Sequence, residues 1–410
     1  MKRALLVAYH FPPFSGSSGV QRTLRFARYL QEFGWEPVIL TAHPRVYECV
    51  SDDLQADLPR DIAIYRGQGW DAQRHFSLFG RYPGWLARPD RWNSWYYGAI
   101  IAGRRAIREK RPDLIWATYP IATAMQIGTR LARDFGLPLV TDFRDPMAQE
   151  DYPEDPVTRA QYARIEANAI RQASWSTFTT PSAVEMYQTR YPCRAGHISL
   201  LENGYDDESF AFDATPAILN PGCLTLLHSG LVYPSERDPT QLFAALARLK
   251  KEQPSLFGCL RVRFRAPTHD ALLHQLADRF GVTDAIQVMP RIPYRDALAE
   301  MMNADGLLIL QASNCNAQIP AKLYEFMRCR RPILSLTDPA GDTARVVTNA
   351  GVDTIAPLDN AEAIRDLLIR YLTNPASCPL PDEETIQSAS RRGRTQRLAT
   401  LFDQCLDGRR

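Results

Sequence analysis

Residues 3–42, RALLVAYHFPPFSGSSGVQRTLRFARYLQEFGWEPVILTA, carry the pattern that decides the fold. The opening run RALLVAY is continuously apolar, as in a strand covered on both faces of a parallel sheet. A loop of Gly, Ser and Pro follows. GVQRTLRFARYLQEFGW then spaces its apolar residues at helical intervals, and EPVILTA is a second buried run. Strand, helix and strand in that order predict a crossover unit of a parallel sheet.

The same rhythm returns along the chain. DLIWATY (113–119), a helical IATAMQIGTRLARDFG and LPLVTDF (137–143) repeat it, as do SWSTFTT (174–180), a helix from about Pro181, and HISLLEN (197–203). Residues 206–222, DDESFAFDATPAILNPG, are acidic and rich in turn formers, and they read as a linker. A second series starts after them, with the apolar runs LTLLHSG, RVRFRA, AIQVMP, DGLLILQ, RPILSL and VDTIAP separated by helical stretches. At 410 residues the chain has room for two domains. The expected fold is α/β, with two Rossmann-like domains facing across a cleft: residues 1–205, completed by about 386–410, and residues 222–385. The stretch EETIQSASRRGRTQRLATLFDQCL (383–406) is expected to pack back on the first domain. In such sheets ligands bind at the carboxyl ends of the strands, so the loops there are where chemistry is sought.

A net charge of +2 with interspersed signs argues against nucleic acid as a partner. Eight scattered cysteines without a C-x-x-C pair suggest reduced thiols and a cytoplasmic protein. MKRALLVAYHFPPF is too short in apolar residues for a signal sequence, and no window reaches the length of a spanning helix. Between Arg60 and Arg111 basic residues mix with Trp70, Phe76, Phe79, Trp85, Trp92, Trp95, Tyr96 and Tyr97. That mixture suits either a membrane interface or a packed insertion.

Four loops hold candidate groups. In FPPFSGSSGVQR (11–22), Gly16 and Gly19 would let backbone approach an anion at the following helix start, although a tight turn reads equally well. In VTDFRDPM (140–147), Asp142, Arg144 and Asp145 form either an ion-pair network or a carboxylate tuned to meet a hydroxyl. In HSGLVYPSERDP (228–239), Gly230 permits close approach and Arg237 could clamp a diphosphate, or else pair with Glu236 or Asp238. In NCNAQIPAKLYEF (314–326), Pro320 suits a helix start, and Lys322 and Glu325 share one helical face. No metal framework stands out: His269 and His274 are five apart with no carboxylate to complete a site. His228 ends a strand, where it could line the cleft as a catalytic group but reads rather as a packed or capping histidine, and no G-x-S-x-G elbow is present.

Taken in order, PPFSGSSGVQR, DFRDP, TTPSAVEMYQTRYP, LLENGYDDESF, HSGLVYPSERDP and IPAKLYEFMRCRRPIL resemble the retaining glycosyltransferases of family 4, which have the GT-B architecture. The resemblance covers nearly the whole chain. It implies transfer of a sugar, with retention, from a nucleotide-diphosphate donor to a saccharide or lipid-linked acceptor, in bacterial cell-surface polysaccharide or glycolipid synthesis. It implies no cofactor and no metal, and a cytoplasmic enzyme that can be peripheral on the membrane. Carried onto this sequence, it makes Gly16, Gly19 and Gly230 donor-contacting, Arg237 and Lys322 the cations for the leaving diphosphate, and Glu325 the holder of the ribose hydroxyls. Asn316 stands for donor sugar contact, Asp145 for a catalytic polar contact, and Asp142, Arg144 and Tyr119 for the acceptor side. The chain departs from the family where Ala317 replaces the first of two glutamates, and where Tyr119-Pro120 replaces a histidine. Two other classes share such a fold: a nucleotide-sugar epimerase, and a non-catalytic partner protein.

Overall fold

The computed structural model describes residues 1–15, 19–51, 54, 57–59, 61–77, 81–150, 152–212 and 215–408. It divides into two compact units, Met1–Asn203 with Arg391–Arg410, and Gly204–Ser390.

The first unit is built on a parallel sheet of seven strands: β1 (Lys2–Val7), β2 (Trp35–Ala42), β3 (Ala63–Gly67), β4 (Leu114–Thr118), β5 (Leu139–Phe143), β6 (Trp175–Phe178) and β7 (Ile198–Leu200). Their order is β3-β2-β1-β4-β5-β6-β7, so the direction of winding reverses between β1 and β4. The run ALLV alternates across the sheet: Leu5 and Val7 enter one core with Ile100, Met125 and Tyr187, while Ala4 and Leu6 enter another with Phe26, Leu398 and Phe402. Burial on both faces is why β1 reads as an unbroken apolar run. β3 has no counterpart among the runs picked out from sequence, because four of its five residues are only half-buried at the sheet edge.

The second unit repeats the plan with six parallel strands: β8 (Leu224–Ser229), β9 (Leu260–Arg265), β10 (Ile286–Met289), β11 (Gly306–Leu310), β12 (Ile333–Leu336) and β13 (Ile355–Ala356). Their order is β10-β9-β8-β11-β12-β13, with the reversal between β8 and β11.

Two expected boundaries move. The described residues of 206–222 are not a free linker but belong to the second unit, where Phe210 and the preceding Tyr205 are buried in its core beside Leu323 and Met327. The terminal stretch is two helices rather than one. Glu383–Ser388 stays with the second unit, and Arg391–Asp407 joins the first, where Phe402 packs edge-on against Trp35. Among the described residues no helix is long and apolar enough to cross a membrane.

Candidate functional site

In the second unit three loops meet at the carboxyl ends of β8, β11 and β12. The loop after β8 starts at Gly230, whose φ of 143° is a conformation that side-chain-bearing residues rarely adopt. Its Cβ position is open, so glycine is needed there for the backbone angle and not for space. The amide of Ala312 donates to the Glu236 carbonyl (2.7 Å) and the Asn314 side chain to the Ser235 carbonyl (2.9 Å), which ties this loop to the one after β11. Gln311 is buried and donates to the carbonyls of Cys315 and Gln318 (2.9 and 2.8 Å), fixing the turn from inside.

Arg237 sits half-buried in this framework. Its Nη1 donates to the Leu231 carbonyl (2.7 Å), and the guanidinium lies 5.5 Å from the Tyr233 ring centre. It pairs with neither sequence neighbour among the described residues. Asp238 instead accepts from the amide of Thr240 (2.9 Å), the first residue of the next helix, and Glu236 gives its carbonyl to Ala312. An arginine held by a carbonyl and an aromatic face keeps its full charge for an anion.

Lys322 opens the helix Lys322–Cys329, two residues later than Pro320, whose carbonyl accepts from Leu323 in the turn that leads in. Its Nζ donates to Glu325 Oε2 (2.6 Å), and the Tyr294 hydroxyl donates to Glu325 Oε1 (2.9 Å). Glu325 is 14% exposed and Lys322 35%, so the pair is sunk into the surface rather than solvated. A carboxylate accepts about four hydrogen bonds. The two seen here orient Glu325 and leave capacity for a diol.

Asn316 does not present its amide to a ligand. Nδ2 donates to Asp338 Oδ2 (2.7 Å), its own carbonyl accepts from the Asp342 amide (2.8 Å), and Oδ1 is buried against Gly341. That bond and the Ala340 amide hold the Asp338 carboxyl below its usual pKa. The residue is a clasp between two loops, which corrects its assignment to sugar contact. His228 Nδ1 donates to the Leu308 carbonyl (3.0 Å), and burial drives its pKa down to about 4, so it is a neutral packed histidine.

In the first unit the motif DFRDP separates into parts with different fates. Asp142 is fully buried. Its carboxylate accepts from Arg22 Nη2 (2.6 Å) and Nε (3.1 Å), from Thr118 (2.8 Å) and from Thr177 (2.9 Å). Burial opposes its charge, but Arg22 and these donors outweigh it and hold the pKa low. With every lone pair engaged and no exposure, Asp142 cannot meet an acceptor, and the expectation that it does is corrected. Tyr119 is corrected likewise: it is 2% exposed and packs against Phe143 and Tyr162 in the core.

Arg144 donates to the Gly19 carbonyl (2.7 Å), to Thr23 (3.1 Å) and weakly to Thr118 (3.3 Å). It therefore pins the start of the helix Gly19–Tyr29 to the end of β5, bringing two of the candidate loops together. Gly16 lies outside the described residues. Asp145 opens to solvent, yet the protein around it pushes its carboxyl pKa up, with Arg144 partly offsetting this.

One group escaped the sequence reading. His10, just beyond β1, is 9% exposed and stacks on Phe14 at 4.9 Å. Its Nδ1 is buried without a hydrogen-bond partner among the described residues, and burial beside Arg144 lowers its pKa to about 3. A lone histidine between apolar residues carries no spacing signal, so nothing in the sequence marked it.

Residues 18–204 match the family model described as the glycosyl transferase 4-like domain. A D-inositol 3-phosphate glycosyltransferase from Nocardiopsis dassonvillei is 28% identical over 260 residues, 58% of each chain, so this chain spans little more than half of that relative. Among solved structures, a sucrose-phosphate synthase from Thermosynechococcus elongatus superposes with a TM-score of 0.66 at 14% identity, covering 100% of both chains. The HepE protein of Anabaena, solved in complex with UDP-glucose, gives 0.60 at 14% identity over 100% of this chain and 99% of the other. The two sheets with their reversals are those of the GT-B architecture. The family match thus places residues 18–204 with the glycosyl transferase 4-like domains, and the solved structures show the fold of the whole chain.

Proposed function

We propose that the protein transfers a sugar, with retention, from a nucleotide-diphosphate donor to an acceptor hydroxyl, and that it does so without a metal. The observation that carries this reading is that the loop holding Arg237, fixed by a carbonyl and a ring, is hydrogen-bonded to the loop after β11, which leads into the helix of the Lys322–Glu325 pair held by Tyr294. As the glycosidic bond lengthens, negative charge grows on the departing diphosphate, and two fixed cations stabilise it more in the transition state than before. Glu325, oriented through both oxygens, is arranged to accept from a ribose diol. In the first unit the Gly19 carbonyl held by Arg144, together with Asp145, forms the side on which an acceptor hydroxyl would be received. The relatives act on or bind sugars and sugar nucleotides, as their names say, which supports the same class here. A role in surface polysaccharide or glycolipid synthesis, at the cytoplasmic face of a membrane, belongs to this proposal.

The test combines binding and turnover. Titration with UDP, GDP and ADP should reveal one tight base. Arg237→Ala and Lys322→Ala should each lower kcat about a hundredfold or more, by loss of a charge-stabilising contact worth roughly 3 kcal/mol. Glu325→Gln should mainly weaken nucleotide binding. Near wild-type rates in both cation variants would refute the diphosphate assignment. Formation of an epimer from nucleotide sugar alone would replace the transferase by an isomerase.

A further inference from the structure

A groove of about 880 Å³ opens on the first unit, lined by the helices Trp95–Lys110, Ala122–Phe135 and Pro156–Gln172 and the stretch before the first of them. It shares no residue with the candidate transfer site, and its size is at the upper end of ordinary ligand pockets. Its lining combines three kinds of group. Trp85 and Tyr97 offer exposed aromatic faces, 68% and 74% accessible. Arg88, Arg130, Arg133 and Arg164 supply four guanidinium groups, and no carboxylate lines the groove among the described residues. Arg88 is paired with Asp155 and Arg130 with Asp134, whereas Arg133 and Arg164 have no carboxylate partner among the described residues. The amides of Gln126 and Gln161 add neutral donors and acceptors, and Gln161 Oε1 is buried without a hydrogen bond among the described residues.

We infer that this groove binds an acidic oligosaccharide, its rings stacked on Trp85 and Tyr97 and its carboxylates held by Arg133 and Arg164. The charge is complementary to an anion, and guanidinium groups match a carboxylate in geometry as well as sign. Aromatic faces and side-chain amides together are what a sugar ring presents partners for: apolar C–H faces and hydroxyl edges. A membrane surface fits less well, since it meets a protein along a convex face and does not fill a concavity lined with amides. This inference stands on the first unit alone and does not rest on the donor chemistry proposed above.

The experiment is calorimetric titration of the full chain with tetragalacturonic acid, and with maltotetraose as the neutral counterpart. Tetragalacturonate should bind, weakening as salt is raised, and maltotetraose should bind at least about tenfold more weakly, because it forgoes the charged contacts. Arg133→Glu and Arg164→Glu, both at exposed positions, should each weaken tetragalacturonate binding about tenfold or more. Trp85→Ala should weaken both ligands several-fold. Melting temperatures of the three variants, made separately, report whether each is folded. No binding of tetragalacturonate at millimolar concentration would overturn the inference. So would equal affinity in all three variants, or sedimentation with phosphatidylglycerol vesicles that needs the same arginines while the glycan does not bind.

Discussion

Asp142 and Asp145 stand three residues apart in one motif and carry the same charge, yet they do opposite work. The first ends a buried strand and closes on Arg22, which is itself 3% exposed, while the second lies past the turn and reaches solvent. Removing one partner of such a buried pair leaves the other as an uncompensated charge. Asp142→Asn should therefore destabilise the first unit by about 3 kcal/mol, read as a shift in the urea midpoint. The same variant should flatten the acid limb. Because the folded-state pKa of Asp142 lies below its unfolded value, the pair's contribution is present above roughly pH 4 and is lost as pH falls further. An Asp142→Asn protein with wild-type stability would return the carboxylate to the acceptor-side role. The residue types of the proposed site were legible in the sequence, because Arg237, Lys322 and Glu325 are charges at the ends of apolar runs. It could not separate a charge facing a ligand from one facing a partner, since Arg22 lies 120 residues from Asp142.

Parallel strands were legible where both faces are covered, and illegible where they are not. β3 lies at the sheet edge, and its residues alternate too weakly to register. The helix Trp95–Lys110 that covers it was hidden in the aromatic and basic stretch, whose Trp95 proves fully buried while Trp85 and Tyr97 are exposed. A signal for this helix's position was present in Gly98, a glycine inside a helical pattern, which marks close approach. A Cβ built on Gly98 would lie 2.0 Å from the Gln68 carbonyl oxygen and 2.5 Å from its nitrogen, and one on Gly67 would meet Ala99 at 2.6 Å. Helix and edge strand thus touch backbone to backbone. In an open helix Gly→Ala stabilises by about 1 kcal/mol. Here Gly98→Ala should reverse that sign and cost about 2 kcal/mol through overpacking, measured as a lowered thermal midpoint. Stabilisation instead would mean that the helix stands away from β3.

The repeated strand–helix rhythm made both Rossmann-like units visible, but it did not show where the chain passes between them. Polar and turn-forming residues at 206–222 look like a tether, yet Phe210 among them and Tyr205 just before them are core residues of the second unit. Composition averages over a stretch, and two buried rings are enough to fix it. The return at Arg391 is held more broadly. Leu398 and Phe402 are fully buried and Leu401 nearly so, Asp403 pairs with Lys2 (2.7 Å) and accepts from Trp35 Nε1 (3.0 Å), and Arg394 pairs with Glu202 (2.8 Å). Burying those three apolar side chains contributes on the order of 6 kcal/mol, against a total of about 5–15 kcal/mol for a whole domain. Cutting the chain after Ser390 should therefore unfold the first unit, or leave it marginal, while the second unit loses none of its own core. Calorimetry of the truncated protein should show the transition of the second unit retained and that of the first lost or lowered steeply. Added as a separate peptide, residues 391–410 should restore it in part, since binding to the folded form alone stabilises by mass action. A first unit that melts unchanged without the helix would show that its sheet is closed by the preceding residues alone.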